Sequence, residues 1–401
     1  MNIRINNRIP ALCALAVFLM SAVCGQTIAE EPREVPQTEA LTEENDLMAQ
    51  ADMILENMSL EEKAAQMFVI TPEALTGMGV VTQAGETTRK ALEKYPVGGL
   101  IYMEQNIESA SQLTGMTASI QSFSIDLTGL PLFLCVDEEG GAVRRISGRI
   151  AGVPKIPDMW SVGQTGNPDS AWSVGSELGS YLKGLGINVD FAPVADVVAD
   201  PDFSAIGDRS FGADPLLAGM MAAACARGIQ DQGVLATLKH FPGHGAVNED
   251  SHASAVVSDK TLEELESEDL IPFIAGIDAG VSLVMAGHIT FPNITDSDIP
   301  ASLSHFFLTN LLREEMGYKG LIITDALNMG AVTSLYTPAE AAVMAVSAGA
   351  DLVLMPQDFH EALQGIIDAV NSGTITEERL DESVRRIIDA KLTLVKGGAK
   401  R

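Results

Sequence analysis

Short apolar segments alternate with longer amphipathic stretches over most of this chain. Eight apolar segments follow one another: MFVI (67–70), GGLIYM (98–103), LFLCVD (132–137), INVDFAPVAD (187–196), LATLKH (235–240), SLVMAGH (282–288), GLIITD (320–325) and ADLVLM (350–355). Continuous apolar runs of this length are typical of strands that are buried on both faces, as they are in parallel sheets. The pattern therefore predicts eight parallel strands.

The stretches between these segments have helical spacing and helix start signals. They include SASQLTGMTASIQSF (109–123), NPDSAWSVGSELGSYLKGL (167–185), SDKTLEELESEDLIPFIAGIDAG (258–280) and TPAEAAVMAVSAG (337–349), and TITEERLDESVRRIIDAKLTLV (374–395) predicts a closing helix. Alternating strands and helices favour parallel βα units. Eight such units predict an α/β fold of one (β/α)8 TIM barrel over residues 46–396, with a short tail at 397–401. An open, doubly wound sheet is the structural alternative.

The first 45 residues read as an export signal and a spacer. Arg4 and Arg8 precede the short apolar stretch ALCALAVFLMSAV, and small residues follow it. This pattern predicts a signal peptide over residues 1–29, or a lipoprotein signal that ends at Cys24, and hence an exported protein. The acidic, proline-bearing residues 30–45 predict a solvated spacer.

Composition excludes several classes of function. Lys and Arg number 25 against 54 Asp and Glu, so the formal net charge of −29 disfavours binding to nucleic acid or to an anionic membrane surface. Membrane attachment is expected only through the possible lipid anchor. Outside the signal, Cys135 and Cys225 lie in apolar surroundings without CxxC spacing, so we expect two small buried side chains.

Charged side chains follow five of the predicted strands. In a (β/α)8 barrel the carboxyl ends of all strands meet on one face, where active sites form. The strand ends carry Asp137, Asp196, Lys239, His240, His288 and Asp325. The sequence therefore predicts a site on this face.

The segment KHFPGHGAVNEDSH (239–252) contains three of the six histidines. His240 and His244 have the i, i+4 spacing of metal ligands on a helix, but Pro242 and the glycines on either side of His244 break a helix there. No metal and no cofactor is therefore predicted, and His244 and His288 are equally well explained as structural side chains.

Asp250 and His252 have a spacing that suits proton transfer. An Asp two residues before a His can hydrogen-bond the imidazole, set its tautomer and stabilise its charged form. In this sequence the pair would lie on a polar loop after the fifth strand.

The chain resembles glycoside hydrolase family 3, and within it the single-domain bacterial exo-β-N-acetylglucosaminidases. The matching motifs occur in the family's order: MSLEEKAAQMFVI, YPVGGLIYM, LFLCVDEEGGAVRRI, VDFAPVADV, IGDRSFG, KHFPGHG with DSH, IPASLS and GLIITDALNM. The resemblance implies a retaining β-N-acetylhexosaminidase acting on terminal N-acetylglucosamine of glycans or cell-wall muropeptides. It also implies a nucleophile at Asp325, a general acid/base at His252 that Asp250 orients, and sugar-binding side chains at Asp137, Arg145, Arg209, Lys239 and His240.

Other functions stay open at this point. They are a family 3 β-glucosidase or β-xylosidase, an N-acetylglucosaminide phosphorylase, and an exported sugar-binding protein without turnover. Asp137 and Arg209 could instead form a structural pair at the rim, and Asp196 is expected to support the site. Relatives commonly have Gln where Glu138 stands and Arg where Ala142 stands, so we expect a different charge at the rim of the pocket.

Overall fold

The computed structural model describes residues 49–245, 256–295 and 297–399. Eight barrel strands lie within these residues: β1 (Phe68–Ile70), β2 (Gly99–Ile101), β3 (Phe133–Val136), β4 (Val189–Asp190), β5 (Leu235–Phe241), β7 (Leu283–Ala286), β9 (Leu321–Thr324) and β10 (Val353–Leu354). Each lies inside, or within one residue of, an apolar segment that predicted it, so the eight-strand prediction is confirmed. A short parallel pair, β6 (Val256–Val257) and β8 (Ile289–Thr290), lies outside the barrel.

The strands form a ring. All neighbouring pairs are parallel, in the order β10, β1, β2, β3, β4, β5, β7, β9. A parallel bridge between Ile323 and Leu352 closes the ring between β9 and β10, and the Thr324 N–H donates to the Leu352 carbonyl at 3.1 Å. This closure confirms the (β/α)8 barrel and excludes the open sheet.

Helices surround the barrel. They are α1 (49–56), α2 (Leu60–Gln66), α3 (Pro72–Thr76), α4 (Glu86–Lys94), α5 (Ala110–Thr128), α6 (Met159–Gly163), α7 (Pro168–Gly184), α8 (Pro215–Asp231), α9 (Leu262–Ser267), α10 (Leu270–Asp278), α11 (Pro292–Thr295), α12 (Gly330–Thr333), α13 (Pro338–Ala348), α14 (Phe359–Asn371) and α15 (Glu377–Ala399). Short 3₁₀ turns occur at Glu104–Asn106, Pro201–Phe203, Gly207–Arg209 and Ala301–Leu303, and Phe306–Glu315 is π-helical. In the part of the chain covered by the structure, no helix is long and apolar enough to cross a membrane.

Local sequence signals explain where the helices begin. Ser59 and Glu62 form a reciprocal capping box at α2, and Thr337 and Glu340 form another at α13. The amphipathic stretch 258–280 is split into α9 and α10. Pro272 explains the split, because a proline is tolerated in the first turn of α10 but would remove a hydrogen bond from the middle of one long helix.

The barrel core is apolar and continuous with the packing beneath the helices. It includes the free cysteines Cys135 and Cys225, both buried as predicted. The predicted signal peptide and the whole of the predicted spacer, as well as Asp250 and His252, lie outside the described residues. The described fold therefore tests the part of the prediction that concerns the barrel.

Candidate active site

A cavity of about 530 Å³ opens at the carboxyl ends of the barrel strands. Its lining includes six residues predicted to belong to the site: Asp137, Arg145, Arg209, Lys239, His240 and Asp325. Asp137 follows β3, Lys239 and His240 lie in β5, and Asp325 follows β9. The barrel thus brings together side chains that are up to 188 residues apart in sequence (325 − 137).

Two acids and three cations at the pocket form a continuous network. Lys239 Nζ lies 3.0 Å from Asp137 Oδ1 and 2.6 Å from Glu139 Oε1. Arg209 grips the Glu139 carboxylate with two hydrogen bonds, from Nε at 2.7 Å and from Nη2 at 2.9 Å. Arg145 Nη2 approaches Asp137 Oδ2 at 3.7 Å. The network fixes the positions of the charged groups that face the cavity.

Glu139 and Lys239 stay charged despite their burial. Burial alone would raise the pKa of the Glu139 carboxyl, but Arg209 and Lys239 outweigh it and hold that pKa well below its ordinary value. Burial alone would lower the pKa of Lys239, but Glu139 and Asp137 raise it above its ordinary value. The pocket therefore offers fixed positive charges and fixed acceptors to the hydroxyl groups of a bound molecule.

His240 is held from behind by Asp196. The His240 Nδ1 atom lies 2.7 Å from Asp196 Oδ2, and the other Asp196 oxygen accepts the backbone N–H of His244 at 2.7 Å. On the other side of the ring, His240 Nε2 lies 3.5 Å from Arg209 Nη2, beside the cavity. Asp196 is thus a supporting residue, as the sequence predicts.

Asp325 directly follows β9, two places from β5 in the ring of strands, and lines the same cavity. Its backbone N–H donates to the Ala286 carbonyl at 2.8 Å, and its Oδ1 accepts the Ala326 N–H at 2.8 Å. Burial alone would raise the pKa of the Asp325 carboxyl, but His240, His288 and the Ala326 N–H outweigh it, and the pKa lies below its ordinary value. Asp325 is therefore an ionised carboxylate with a fixed backbone.

His288 supports the Asp325 segment rather than lining the cavity. Its ring is buried, with Nδ1 2.7 Å from Ser302 Oγ and Nε2 3.0 Å from the Ala326 carbonyl. Of the two explanations open for His288, the structural one fits these contacts. His244 is also buried, but it lies at the cavity wall with its ring against that of His240.

The structure does not support the alternative pairing at the rim, nor a place at the rim for Glu138. Arg209 is paired with Glu139, and the proposed pair of Asp137 with Arg209 is absent from the contacts of these two described residues. Glu138 does not alter the charge of the rim, because its side chain is fully buried. Its carboxylate accepts four hydrogen bonds, from the backbone N–H groups of Arg145, Ile146 and Ser147 and from the Tyr181 hydroxyl.

Sequence reasoning missed Glu139 as a site residue. Its neighbour Asp137 was identified by its position at the end of a strand, and the same run of acids, DEE, could have drawn attention to Glu139. Over residues 49–245, 256–295 and 297–399, no three His, Cys, Asp or Glu side chains are arranged to hold a metal ion. The chemistry that the described site offers is that of charged and hydrogen-bonding side chains.

The sequence of this chain is similar to those of known proteins. Residues 59–390 match the glycosyl hydrolase family 3 N terminal domain. The chain is 34% identical over 343 residues to beta-hexosaminidase LpqI of Mycobacterium tuberculosis, covering 83% of each protein. It is 32% identical over 332 residues to beta-hexosaminidase A of Pseudoalteromonas piscicida, covering 77% of this chain but 55% of that protein.

A solved structure agrees with these relatives. The glycoside hydrolase family 3 beta-N-acetylglucosaminidase from Paenibacillus sp. str. FPU-7 superimposes with a TM-score of 0.78 at 36% identity, over 84% of this chain and 63% of that one. The chain therefore spans less than two thirds of some of its relatives. The closed barrel, the strand-end pocket and a match that runs from residue 59 to residue 390 together show that this protein belongs to glycosyl hydrolase family 3.

Proposed function

We propose that this protein is an exo-acting β-N-acetylhexosaminidase that hydrolyses terminal N-acetyl-β-D-glucosaminides by a retaining mechanism. The observation that carries the proposal is the position of Asp325. Its ionised carboxylate lines the same cavity as the side chains expected to bind a sugar ring. These are Asp137, Arg145, Arg209, Lys239 and His240. The names of the hexosaminidase relatives support the choice of sugar.

The nucleophile in this proposal is Asp325. In a retaining glycosidase a carboxylate attacks the anomeric carbon through an oxocarbenium-like transition state, and water then hydrolyses the glycosyl-enzyme. The hydrogen bond from the Ala326 N–H holds one Asp325 oxygen in place. A low pKa keeps the carboxylate ionised, so no general base is needed to activate it.

The acid/base in this proposal is the pair Asp250 and His252. Protonation of the leaving oxygen needs a group that carries a proton near neutral pH and then takes one from water, and an imidazole titrates in that range. Besides Asp325, the carboxylates among the described residues that line the pocket are those of Asp137 and Glu139. Both of them contact Lys239. Their contacts with Lys239 support a proton donor other than these two carboxyl groups.

The remaining pocket residues bind the ring. Lys239 and Arg209 carry donors, Asp137 and Glu139 carry acceptors, and a sugar hydroxyl can use both kinds of group at once. Such contacts serve catalysis when they strengthen in the transition state. A cavity of about 530 Å³ at the end of a closed barrel suits a terminal ring, which supports exo action.

Hydrolysis of aryl glycosides tests the proposal. We expect the purified full chain to release the aryl group from an N-acetyl-β-glucosaminide much faster than from the matched β-glucoside or β-xyloside. Faster release from either of these sugars would favour the glucosidase or xylosidase alternative. Sugar binding without release from any of the three would favour the binding protein, and a product phosphorylated at the anomeric position in phosphate buffer would identify a phosphorylase.

The mechanism has its own test. A fluorinated N-acetylglucosaminide that forms a slowly hydrolysed intermediate should label Asp325, as read by peptide mass spectrometry. Labelling of another carboxylate would exclude Asp325 as the nucleophile. His252→Ala should lose most activity on poor leaving groups and little on good ones, whereas equal losses on both would exclude His252 as the proton donor.

We also propose that the protein is exported, on the basis of its N-terminal pattern. Expression in a bacterial host followed by mass spectrometry of the mature N-terminus tests this. Cleavage near residue 29 indicates secretion and a lipid on Cys24 indicates anchoring. An intact N-terminus on a cytoplasmic product would contradict export.

A further inference from the structure

A second groove lies on the outer surface of the barrel, away from the strand-end cavity. Its volume is about 590 Å³, and it shares no lining residue with that cavity. The lining comes from one face of α7, from the residue after α8 and from the loop after β3: Trp172, Ser173, Ser176, Glu177, Ser180, Tyr181, Gln232 and Pro154. The groove takes no part in the chemistry proposed above.

Trp172 forms the apolar part of this groove. The side chain is large, yet 40% of the residue's surface is exposed. The indole N–H donates to Asp231 Oδ2 at 2.8 Å, so the ring is held in one orientation rather than free to rotate. An exposed aromatic ring that is fixed by its own hydrogen bond offers a flat surface for stacking.

Polar side chains continue the groove along α7. Ser173, Ser176, Glu177 and Ser180 recur at spacings of three and four residues, which places them on the same helix face. Gln232 Nε2 donates to Ser176 Oγ at 3.0 Å, which links the two helices across the groove. These hydroxyl, amide and carboxylate groups can donate to and accept from a neutral ligand.

The helices that form the groove are closely packed and held by hydrogen bonds. α7 and α8 touch so closely that a Cβ at Gly175 would lie 2.1 Å from the Cys225 carbonyl oxygen, and one at Gly228 would lie 2.2 Å from that of Trp172. On the far wall, Tyr181 donates to the buried Glu138 at 2.8 Å. A surface that does not need ordering loses less entropy when it binds a ligand.

We infer that this groove is a second carbohydrate-binding site, which holds pyranose rings of a β-linked N-acetylglucosamine polymer while the strand-end cavity acts on a chain end. The C–H face of a pyranose ring would stack on Trp172, and its hydroxyl and acetamide groups would bond to the α7 side chains. The lining carries one carboxylate, Glu177, and no Lys or Arg, which disfavours anionic ligands such as phosphates. The polymer class rests on the proposed function; the groove itself does not.

Retention on insoluble chitin tests this inference, with Trp172→Ala compared to the wild type in the full chain. We expect Trp172→Ala to reduce the bound fraction at least fivefold, while kcat/KM on a small aryl N-acetyl-β-glucosaminide changes less than twofold. Leu216→Ala is the matched control, because Leu216 is 57% exposed on α8 outside the groove, and it should behave as wild type.

Ser180→Arg provides a second variant. Ser180 is exposed in the groove, so an arginine there blocks the groove without removing a buried contact, and retention should fall as with Trp172→Ala. Retention by both variants at the wild-type level would overturn the inference. Loss of retention together with an equal loss on the aryl glycoside would also overturn it, because both effects would then come from the strand-end cavity or from misfolding.

The binding assay separates this inference from the proposed function. Retention does not depend on turnover, and both groove variants keep an intact strand-end cavity. If the wild type fails to hydrolyse the aryl N-acetyl-β-glucosaminide but still binds chitin in a Trp172-dependent manner, the proposed function fails and the groove stands. If the wild type hydrolyses the aryl glycoside but chitin retention does not depend on Trp172, the inference about the groove fails and the proposed function is kept.

Discussion

Glu139 shows at the scale of one residue how the pocket keeps its charges in place. Its buried carboxylate is shared between Arg209 and Lys239. Glu139→Gln would leave two buried cations with one fewer counter-charge, and removing one partner of a buried pair costs about 3–5 kcal/mol. We expect a loss of unfolding free energy of that order and a fall in kcat/KM of roughly a hundredfold, since ring-binding groups would shift.

Chemical denaturation and kinetics of Glu139→Gln check this expectation. Glu104→Gln is a suitable control, because Glu104 pairs with Arg149 at the surface, where water and salt screen the pair, and its loss should change stability far less. Equal effects of the two variants on stability would mean that the Glu139 network contributes no more than a surface pair.

Asp325 leads to a prediction about pH. Its pKa lies below the ordinary value, so the carboxylate is ionised above that pKa and loses its charge only at lower pH. With leaving groups that need no protonation, we expect kcat/KM to stay flat from neutrality down to about pH 4, which is the range where an ordinary Asp titrates. An acid limb at higher pH on such substrates would contradict this expectation.

The loop between β3 and α6 shows how one side chain organises an element. Glu138 binds three consecutive backbone N–H groups at Arg145, Ile146 and Ser147, and so fixes the segment that carries Arg145 to the pocket. Glu138→Ala should leave these buried donors unpaired, at about 1–3 kcal/mol for each that finds no water. We expect a lower Tm and a raised KM, with Tyr181→Phe as the milder control because it removes one hydrogen bond. An unchanged KM would mean that Arg145 is positioned by other contacts.

The elements also show what the sequence could predict. The strands were predictable because a strand buried on both faces needs a continuous apolar run, and each strand end then marks the catalytic face. The contact between Glu139 and Arg209 was not predictable from the sequence. Arg209 lies 70 residues later, and the contact depends on how two loops fold over the barrel. Glu138 was misjudged for a related reason, since neighbouring residues after β3 point in different directions, one toward the cavity and the next beneath a loop.

At the scale of the whole molecule, the helix that ends the fold carries a buried lysine into the core. Lys391 of α15 donates to Gln66 Oε1 at 2.7 Å and lies 5.2 Å from the centre of the Phe133 ring. Burial lowers its pKa from 10.5 to about 7. Gln66 is the last residue of α2 and Phe133 the first of β3, so this contact ties α15 to the amino-terminal side of the barrel, opposite the site.

The lowered pKa predicts how stability depends on pH. Between about pH 7 and pH 10 the unfolded chain keeps the Lys391 proton while the folded chain releases it, so the unfolded state binds more protons. The contribution of Lys391 to stability therefore rises with pH in this range, by at most about 1.4 kcal/mol per pH unit. Below about pH 7 both states are protonated, and the cost of burying the charge is present in full.

Replacing the lysine by Lys391→Met removes this dependence of stability on pH. Measured by denaturant unfolding at pH 6 and pH 9, the variant should be more stable than the wild type at pH 6, and the gap should narrow at pH 9. Lys63→Met, which removes a partly exposed pair with Asp381, should show no such narrowing. A gap that stays constant for Lys391→Met would mean that the buried lysine keeps its proton throughout, and that its contacts with Gln66 and Phe133 hold the charge against the cost of burial.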